Sequence, residues 1–158
     1  MFVYFAGGCF WCITPMFAEI DGVRKVTSGY SGGNEVNPTY EDVKSQKTGH
    51  RETICVEYDE TKVKYEDLLE VFLSNVDVYD DGGQFIDRGH SYTLAIYYTD
   101  DNQKAIIEER LGKYEKPVCI SVEAYKNFYE AEEYHQDFYL KNPEKFEEEL
   151  ISSGRKKK

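Results

Sequence analysis

Several residue types are scarce in this sequence. Its 158 residues include one Trp, two Met, three His, four Pro and four Cys. No apolar run approaches the roughly 20 residues that span a bilayer. The apolar opening from Phe2 to Ala6 has neither a basic leader nor a cleavage-type flank, so a cytoplasmic protein with no membrane partner is expected. Basic residues are also in deficit. Nineteen Lys plus Arg against 30 Asp plus Glu leave a net charge of −11, which argues against partners bound by neutralising phosphates, nucleic acid above all. Four cysteines are too few to staple a miniature fold. Cys9 and Cys12 form a tight pair while Cys55 and Cys119 stand alone, a pattern that favours thiol chemistry over structural bridges.

What is present describes a folded chain. Hydrophobic residues make up 41% and are mixed with charge up to the tail, which excludes global disorder, and the length suits a single domain over residues 1–158. Phe2 to Ala6 reads as a buried strand ended by Gly7-Gly8. Phe10, Ile13, Phe17 and Ile20 then recur at helical spacing, with Pro15 predicting a kink or an irregular start. Strands are expected at Val23 to Tyr30, Glu52 to Asp59, Tyr92 to Tyr98 and Val118 to Val122. Helices are expected from the Asn37-Pro38-Thr39 cap region, at Tyr65 to Asn75 and at Asn102 to Tyr114. A Gly- and Asp-rich loop fills Asp77 to Gly89. The acidic C-terminal segment, 129–158, reads as helical in two pieces, the second opened by Asn142-Pro143, with a frayed basic tail from Arg155 to Lys158. Connections too short for repeated parallel crossovers point to an α+β fold, a two-layer sandwich whose mixed or antiparallel sheet is covered by helices.

The chemistry concentrates in Gly7-Gly8-Cys9-Phe10-Trp11-Cys12. A cysteine where a strand breaks into a helix faces unpaired amides and the positive end of the dipole, which favour thiolate and predict a lowered pKa. Cys9 is therefore the expected nucleophile. Cys12, one helical turn on, is close enough to close a disulfide with it after modest adjustment. On a strand, Glu52, Ile54, Val56 and Tyr58 share a face, and a carboxyl on an otherwise apolar face keeps its proton to higher pH. Cys55 and Cys119 lie in strand-like segments and are expected to be buried and inert.

Gly8-Cys9-Phe10-Trp11 resembles the signature of the peptide methionine sulfoxide reductase A family. The likeness continues, in the family's order, through Gly29-Tyr30-Ser31-Gly32-Gly33, Asn37-Pro38-Thr39-Tyr40, Thr48-Gly49-His50-Arg51-Glu52, Asp87-Arg88-Gly89-His90-Ser91-Tyr92 and Ala131-Glu132-Glu133-Tyr134-His135-Gln136. It spans about Phe5 to Pro143. The resemblance implies a ferredoxin-like core and reduction of the S epimer of methionine sulfoxide, free or in proteins, with thioredoxin or a similar dithiol as reductant. It also implies roles. Cys9 attacks the sulfur, Glu52 donates a proton, Tyr40 and Tyr92 hold the sulfoxide oxygen, Phe10 and Trp11 wall a methyl slot, and Asp87 stands beside the site. Many family members carry their resolving thiol in a Gly-rich C-terminal tail. No Cys follows Cys119 here, which leaves Cys12 as the local candidate, with an external thiol attacking Cys9 directly as the alternative.

Rival readings are weaker. A thioredoxin-like thiol-disulfide oxidoreductase would use Cys9-x-x-Cys12 without needing Glu52, Tyr40 or Tyr92. A zinc module on Cys9, Cys12 and His50 or Cys55 lacks the usual second ligand pair. The Asp77 to Arg88 loop puts Tyr79 and Arg88 where a calcium loop needs oxygen ligands. The Gly pairs fit neither a P-loop nor a dinucleotide fingerprint, so neither a metal nor a nucleotide cofactor is expected. His50 and His90 are near enough to tune local charge, and His135 to pack or cap the C-terminal helix; none is given a catalytic role.

Overall fold

A computed structural model describes residues 1–152; the basic tail from Arg155 to Lys158 lies outside them. The chain runs β1 (Phe2–Gly7), α1 (Phe10–Ala18), β2 (Val23–Ser31), α2 (Tyr40–Lys44), β3 (Arg51–Tyr58), α3 (Tyr65–Ser74), β4 (Gly83–Gln84), β5 (Asp87–Arg88), β6 (Leu94–Tyr98), α4 (Asp101–Leu111), β7 (Ile120–Ala124), β8 (Tyr129–Glu130), α5 (Phe138–Lys141) and α6 (Pro143–Ser152). Six strands form one sheet in the order β7-β6-β1-β3-β2-β8. Only the β6–β7 pair is parallel, so the sheet is mixed. Its four central strands, β6-β1-β3-β2, run antiparallel with helices after the first and third of them, which is the ferredoxin-like arrangement within an α+β fold.

The alternation of β3 explains how the sheet holds its helices. Glu52, Ile54, Val56 and Tyr58 are buried along one face, against which α1 packs. Phe5 of β1 stacks on Phe72 of α3 at 4.8 Å between ring centres and tilts against Phe17 of α1 at 5.6 Å. Burying such side chains contributes about 1.5–3 kcal/mol each, and it is this core that fixes α1 over the sheet. The opposite face is more polar. There Arg51 donates to Tyr97 Oη at 3.1 Å and to Glu123 at 2.8 Å, tying β3 to β6 and β7.

Local chemistry moved several boundaries. Thr39, not Asn37, caps α2: its hydroxyl accepts from the Asp42 amide while the Asp42 carboxylate accepts from the Thr39 amide, a reciprocal capping box. Asn37 is held at φ 50°, outside the helix. Tyr92, expected in a strand, closes a 3₁₀ turn at His90–Tyr92 ahead of β6. The segment from 129 onward is not helical throughout. Gly29 leaves room for Phe128 and the Tyr129 carbonyl against the edge of β2, and β8 pairs there before the helices begin. The helix α1 continues through Pro15 without breaking, and its first turn tightens, with the Cys12 amide donating to the Cys9 carbonyl at 3.1 Å.

Within the Gly- and Asp-rich loop, β4 and β5 form a small hairpin that carries Asp87. Gly83 adopts φ +143°, and a Cβ added there would meet the Asp87 carbonyl oxygen. Gly83→Ala is therefore expected to cost about 2 kcal/mol or more, read as a lowered denaturant midpoint, because the clash is with backbone that has no rotamer to escape into. An unchanged midpoint would show that this hairpin adapts freely.

Candidate active site

Four segments distant in sequence converge where β1 ends. Gly8, at φ 89°, turns the chain sharply after β1 and makes Cys9 the N-cap of α1. Cys9 contributes no capping hydrogen bond. The first helical amide, Phe10 N, instead donates to Glu52 Oε1 at 3.1 Å. A carboxyl from the middle of the sheet thus closes the helix that carries the thiol. Glu52 is 1% exposed, and burial chiefly raises its pKa, to about 8, with Asp87 and Cys12 adding to the rise. The amide of Phe10 and the hydroxyl of Tyr92 act against it. The carboxyl is therefore mostly protonated at neutral pH.

The cysteine behaves differently from expectation. Cys9 has a pKa raised well above the ordinary thiol value. A hydrogen bond with Cys12 is the largest cause, followed by burial and by the negative charge of Cys12, Glu52 and Asp87. The expected lowering fails because Glu52 already occupies the first amide of α1, and because the thiol shares its surroundings with groups that themselves become anions. At rest Cys9 is a thiol. Cys12 is 2% exposed and borders a cleft of about 350 Å³ lined also by Met16, Asn75, Val76, Phe85 and Leu150.

Tyr40, from the first turn of α2, and Tyr92, from the turn before β6, meet over this pair. Burial raises the pKa of both, helped by the charge of Glu52 and Cys9, and their hydroxyls interact with one another. Both remain neutral donors over the range in which Glu52 titrates. Asp87 lies close enough to raise the pKa of Cys9, Glu52 and Tyr92. Phe10 is buried at 1% exposure, whereas Trp11 stays partly exposed with its indole stacked on Phe138 at 4.0 Å and 9°. The fold thus brings Cys9, Cys12, Glu52, Tyr40, Tyr92, Asp87, Phe10 and Trp11 to one place.

Two further groups, Glu132 and Gln136, were missed in the sequence, and His135 was given only a packing or capping part. Glu132 accepts from the Tyr40 amide at 3.0 Å and from Tyr30 Oη at 2.9 Å, which anchors the start of α2. Gln136 clasps β2 through both its amide atoms, accepting from Ser28 N and donating to Ser28 O. His135, one residue away, packs as one of its two expected parts had it, but from a 3₁₀ turn and beneath Trp11 and Tyr40, and it caps no helix. The signal for all three was the Glu132 to Gln136 string, whose polar side chains point back into the fold from a 3₁₀ turn at Glu133–His135. His50 and His90 instead hold loops. His50 Nδ1 accepts from the Gly33 amide at 3.2 Å, and His90 Nε2 lies 3.0 Å from the Gly49 carbonyl.

The other two cysteines are not the buried packing residues expected. Each is partly exposed. Cys55 points to the face of β3 opposite Glu52, across from Tyr4, where burial pushes its pKa up to about 11. Cys119 precedes β7, and its thiol donates to the Tyr79 carbonyl at 3.6 Å. Among the described residues no group of three or more His, Cys, Asp or Glu could hold a metal ion, and no helix is long and apolar enough to cross a membrane.

Comparison with known proteins gives a consistent set of relatives. The family model for peptide methionine sulfoxide reductase matches residues 2–158. A peptide methionine sulfoxide reductase MsrA of Bacillus velezensis is 48% identical over 157 residues, covering 96% of this chain and 89% of its own. Mxr1 of Saccharomyces cerevisiae in reduced form superposes with a TM-score of 0.83 at 28% identity, over 91% of this chain and 86% of that one. Methionine sulfoxide reductase A of Corynebacterium diphtheriae gives 0.81 at 28% identity, over 90% and 74% of the two chains.

Proposed function

Because the chain belongs to the peptide methionine sulfoxide reductase family, we propose that residues 1–158 form a single cytoplasmic catalytic domain that returns the S epimer of methionine sulfoxide to methionine through Cys9. The observation that carries the assignment of roles is the pairing of a thiol with a protonated carboxyl. Glu52, with a pKa of about 8, lies beside Cys9 and under two tyrosine hydroxyls.

The chemistry follows from that pairing. A sulfoxide sulfur is a poor electrophile until its oxygen is protonated or strongly hydrogen-bonded. The Phe10 amide donates to Glu52 Oε1, so the acid proton belongs on Oε2, free to pass to the substrate oxygen. Tyr40 and Tyr92 add neutral donors to that oxygen. The partial positive charge on the sulfoxide sulfur stabilises a thiolate on Cys9, offsetting the resting preference for the thiol. Attack forms a sulfur–sulfur bond as the oxygen takes its proton. The hydroxyl then passes to Cys9 as the substrate sulfur–oxygen bond and the sulfur–sulfur bond both break, one electron pair staying on the methionine sulfur, and the proton that Cys9 gave up restores Glu52. The balance is methionine sulfoxide plus thiol giving methionine plus Cys9 sulfenic acid; the substrate sulfur is reduced and the Cys9 sulfur oxidised by two electrons. Trp11, stacked on Phe138, with Phe10 behind it, provides the apolar wall for the methyl group.

Cys12 then condenses with the sulfenic acid, releasing water and forming a disulfide. Its hydrogen bond to Cys9 supports this role. A dithiol such as thioredoxin reduces the bridge, and the cleft beside Cys12 offers it an approach. One turnover without reductant should yield equal amounts of methionine and a Cys9–Cys12 disulfide by peptide mass mapping. Cys12→Ser should keep that first turnover within about threefold and leave a trappable sulfenic acid. A bridge to Cys55 or Cys119 would remove Cys12 as resolver, and loss of the first turnover in Cys12→Ser would overturn the division of labour. A thioredoxin-like exchange enzyme would make no methionine at all.

A further inference from the structure

His135 is a buried titratable group against the slot that the chemistry above does not use. The Trp11 indole N–H donates to its Nδ1 at 2.9 Å. A nitrogen that accepts carries no proton, so the proton of the neutral ring is on Nε2. The ring is 1% exposed, and burial pushes its pKa down to about 4, so it stays neutral across the working range. Glu132, in the same turn, pulls the other way without reversing this. The other groups against the ring are Phe10, Trp11, Tyr40 from α2 and neighbouring Tyr134, with ring centres at 5.2, 5.5, 4.3 and 4.0 Å.

Stability alone does not explain a histidine here. Its Nε2 has no hydrogen-bond partner among the described residues, and a buried donor left unpaired is destabilising, where an apolar ring of similar size would not be. What the histidine gains is control of Trp11. Stacking on Phe138 holds the face of the indole but leaves it free to slide and rotate in its own plane. The hydrogen bond to Nδ1 fixes that remaining freedom.

We propose that His135 is a positioning residue that, by accepting the Trp11 indole N–H while packing on Tyr40, fixes the width of the methyl slot and so sets the discrimination between methyl and longer alkyl sulfoxides. This rests on the reductase reading of the Cys9 site. One methylene in an apolar pocket is worth roughly 10- to 200-fold in kcat/KM, so a slot held to width rejects ethionine sulfoxide and a loosened one admits it.

The test compares methionine sulfoxide and ethionine sulfoxide in reduced wild-type protein, His135→Phe, His135→Gln and His135→Asn. Asn places its Oδ1 close to the position of Nδ1 and keeps the acceptor; Phe removes it, and Gln carries it one bond too far. The methyl-to-ethyl ratio of kcat/KM should be about tenfold or more in wild type. It should fall by about threefold or more in the Phe and Gln variants, through a higher KM for methionine sulfoxide at nearly unchanged kcat, and return in Asn. Trp11 is the only Trp, so its emission reads the same contact without turnover. The maximum should shift in Phe and Gln and recover in Asn. An unchanged ratio in both Phe and Gln, or an Asn variant that rescues neither signal, overturns the proposal. If Phe does not fold, Gln decides. Wild-type protein that reduces neither sulfoxide would sink the reductase reading instead, while the emission comparison still tests the contact.

Discussion

Cys9→Ser is expected to lower kcat/KM for methionine sulfoxide by about four orders of magnitude or more, with stability nearly unchanged. The size follows from the role, because a serine oxygen in this setting has no base to deprotonate it and cannot accept the sulfoxide oxygen to complete a two-electron exchange. The fold tolerates the change because Cys9 contributes no capping hydrogen bond to α1, whose first amide is held by Glu52. The raised pKa of Cys9 adds a second expectation. In resting protein, alkylation of Cys9 should be slow at neutral pH and still accelerating above pH 9, followed by mass mapping to separate it from the partly exposed Cys55 and Cys119. Retained sulfoxide reduction in Cys9→Ser would remove the nucleophile from this account. Fast alkylation with a midpoint near neutrality would restore the lowered pKa that the helix start suggested.

Glu52→Gln should separate activity from stability. The buried acid is protonated below its pKa of about 8, so the wild-type rate on bound substrate should be sustained below pH 8 and fall as pH rises through it. Gln cannot donate a transferable proton, and kcat should drop by about 10²- to 10⁴-fold, with the limb near pH 8 gone. Stability should move the other way. The folded pKa of about 8 stands above the ordinary carboxyl value of 4.5, so the folded state retains a proton that the unfolded state releases. Burial of Glu52 therefore costs nothing below pH 4.5, costs progressively more as pH rises between 4.5 and 8, and costs its full amount above 8. Gln keeps the carbonyl that accepts from the Phe10 amide and has no such penalty. Glu52→Gln is expected to gain about 3 kcal/mol at pH 7, and less toward pH 5, read from denaturant midpoints across pH 5–9. A variant that unfolds in parallel with wild type at every pH would show that Glu52 is not held protonated.

The same residues show which parts of the protein were legible in the chain and which were not. Strong periodicity gave α3 its span to within a residue, because Leu68, Leu69, Phe72 and Leu73 all turn one face to the core. The alternation of Glu52, Ile54, Val56 and Tyr58 gave both a strand and a buried acid, since period two leaves a side chain no other face to occupy. Boundaries that depend on one hydrogen bond were less legible. Asn37 and Thr39 are both good caps in isolation, and only the Asp42 carboxylate selects Thr39. The pairing of β8 with β2 left almost no trace, because a two-residue strand has no period to read.

By itself the sequence determined the elements, the α+β class and the cast of the site: Cys9, Cys12, Glu52, Tyr40, Tyr92, Asp87, Phe10 and Trp11. Cys9, Cys12 and the buried acid Glu52 follow from side-chain type and spacing, which are local properties, whereas Tyr40, Tyr92, Asp87, Phe10 and Trp11 entered through the resemblance of their motifs to the family. Tertiary structure alone decided their protonation and their supports. Whether Cys9 rests as thiol or thiolate depends on which group takes the first amide of α1 and which charges surround the sulfur. That the Trp11 indole has a partner depends on a histidine 124 residues away. Burial and electrostatics act through space, at distances that separation along the chain does not encode.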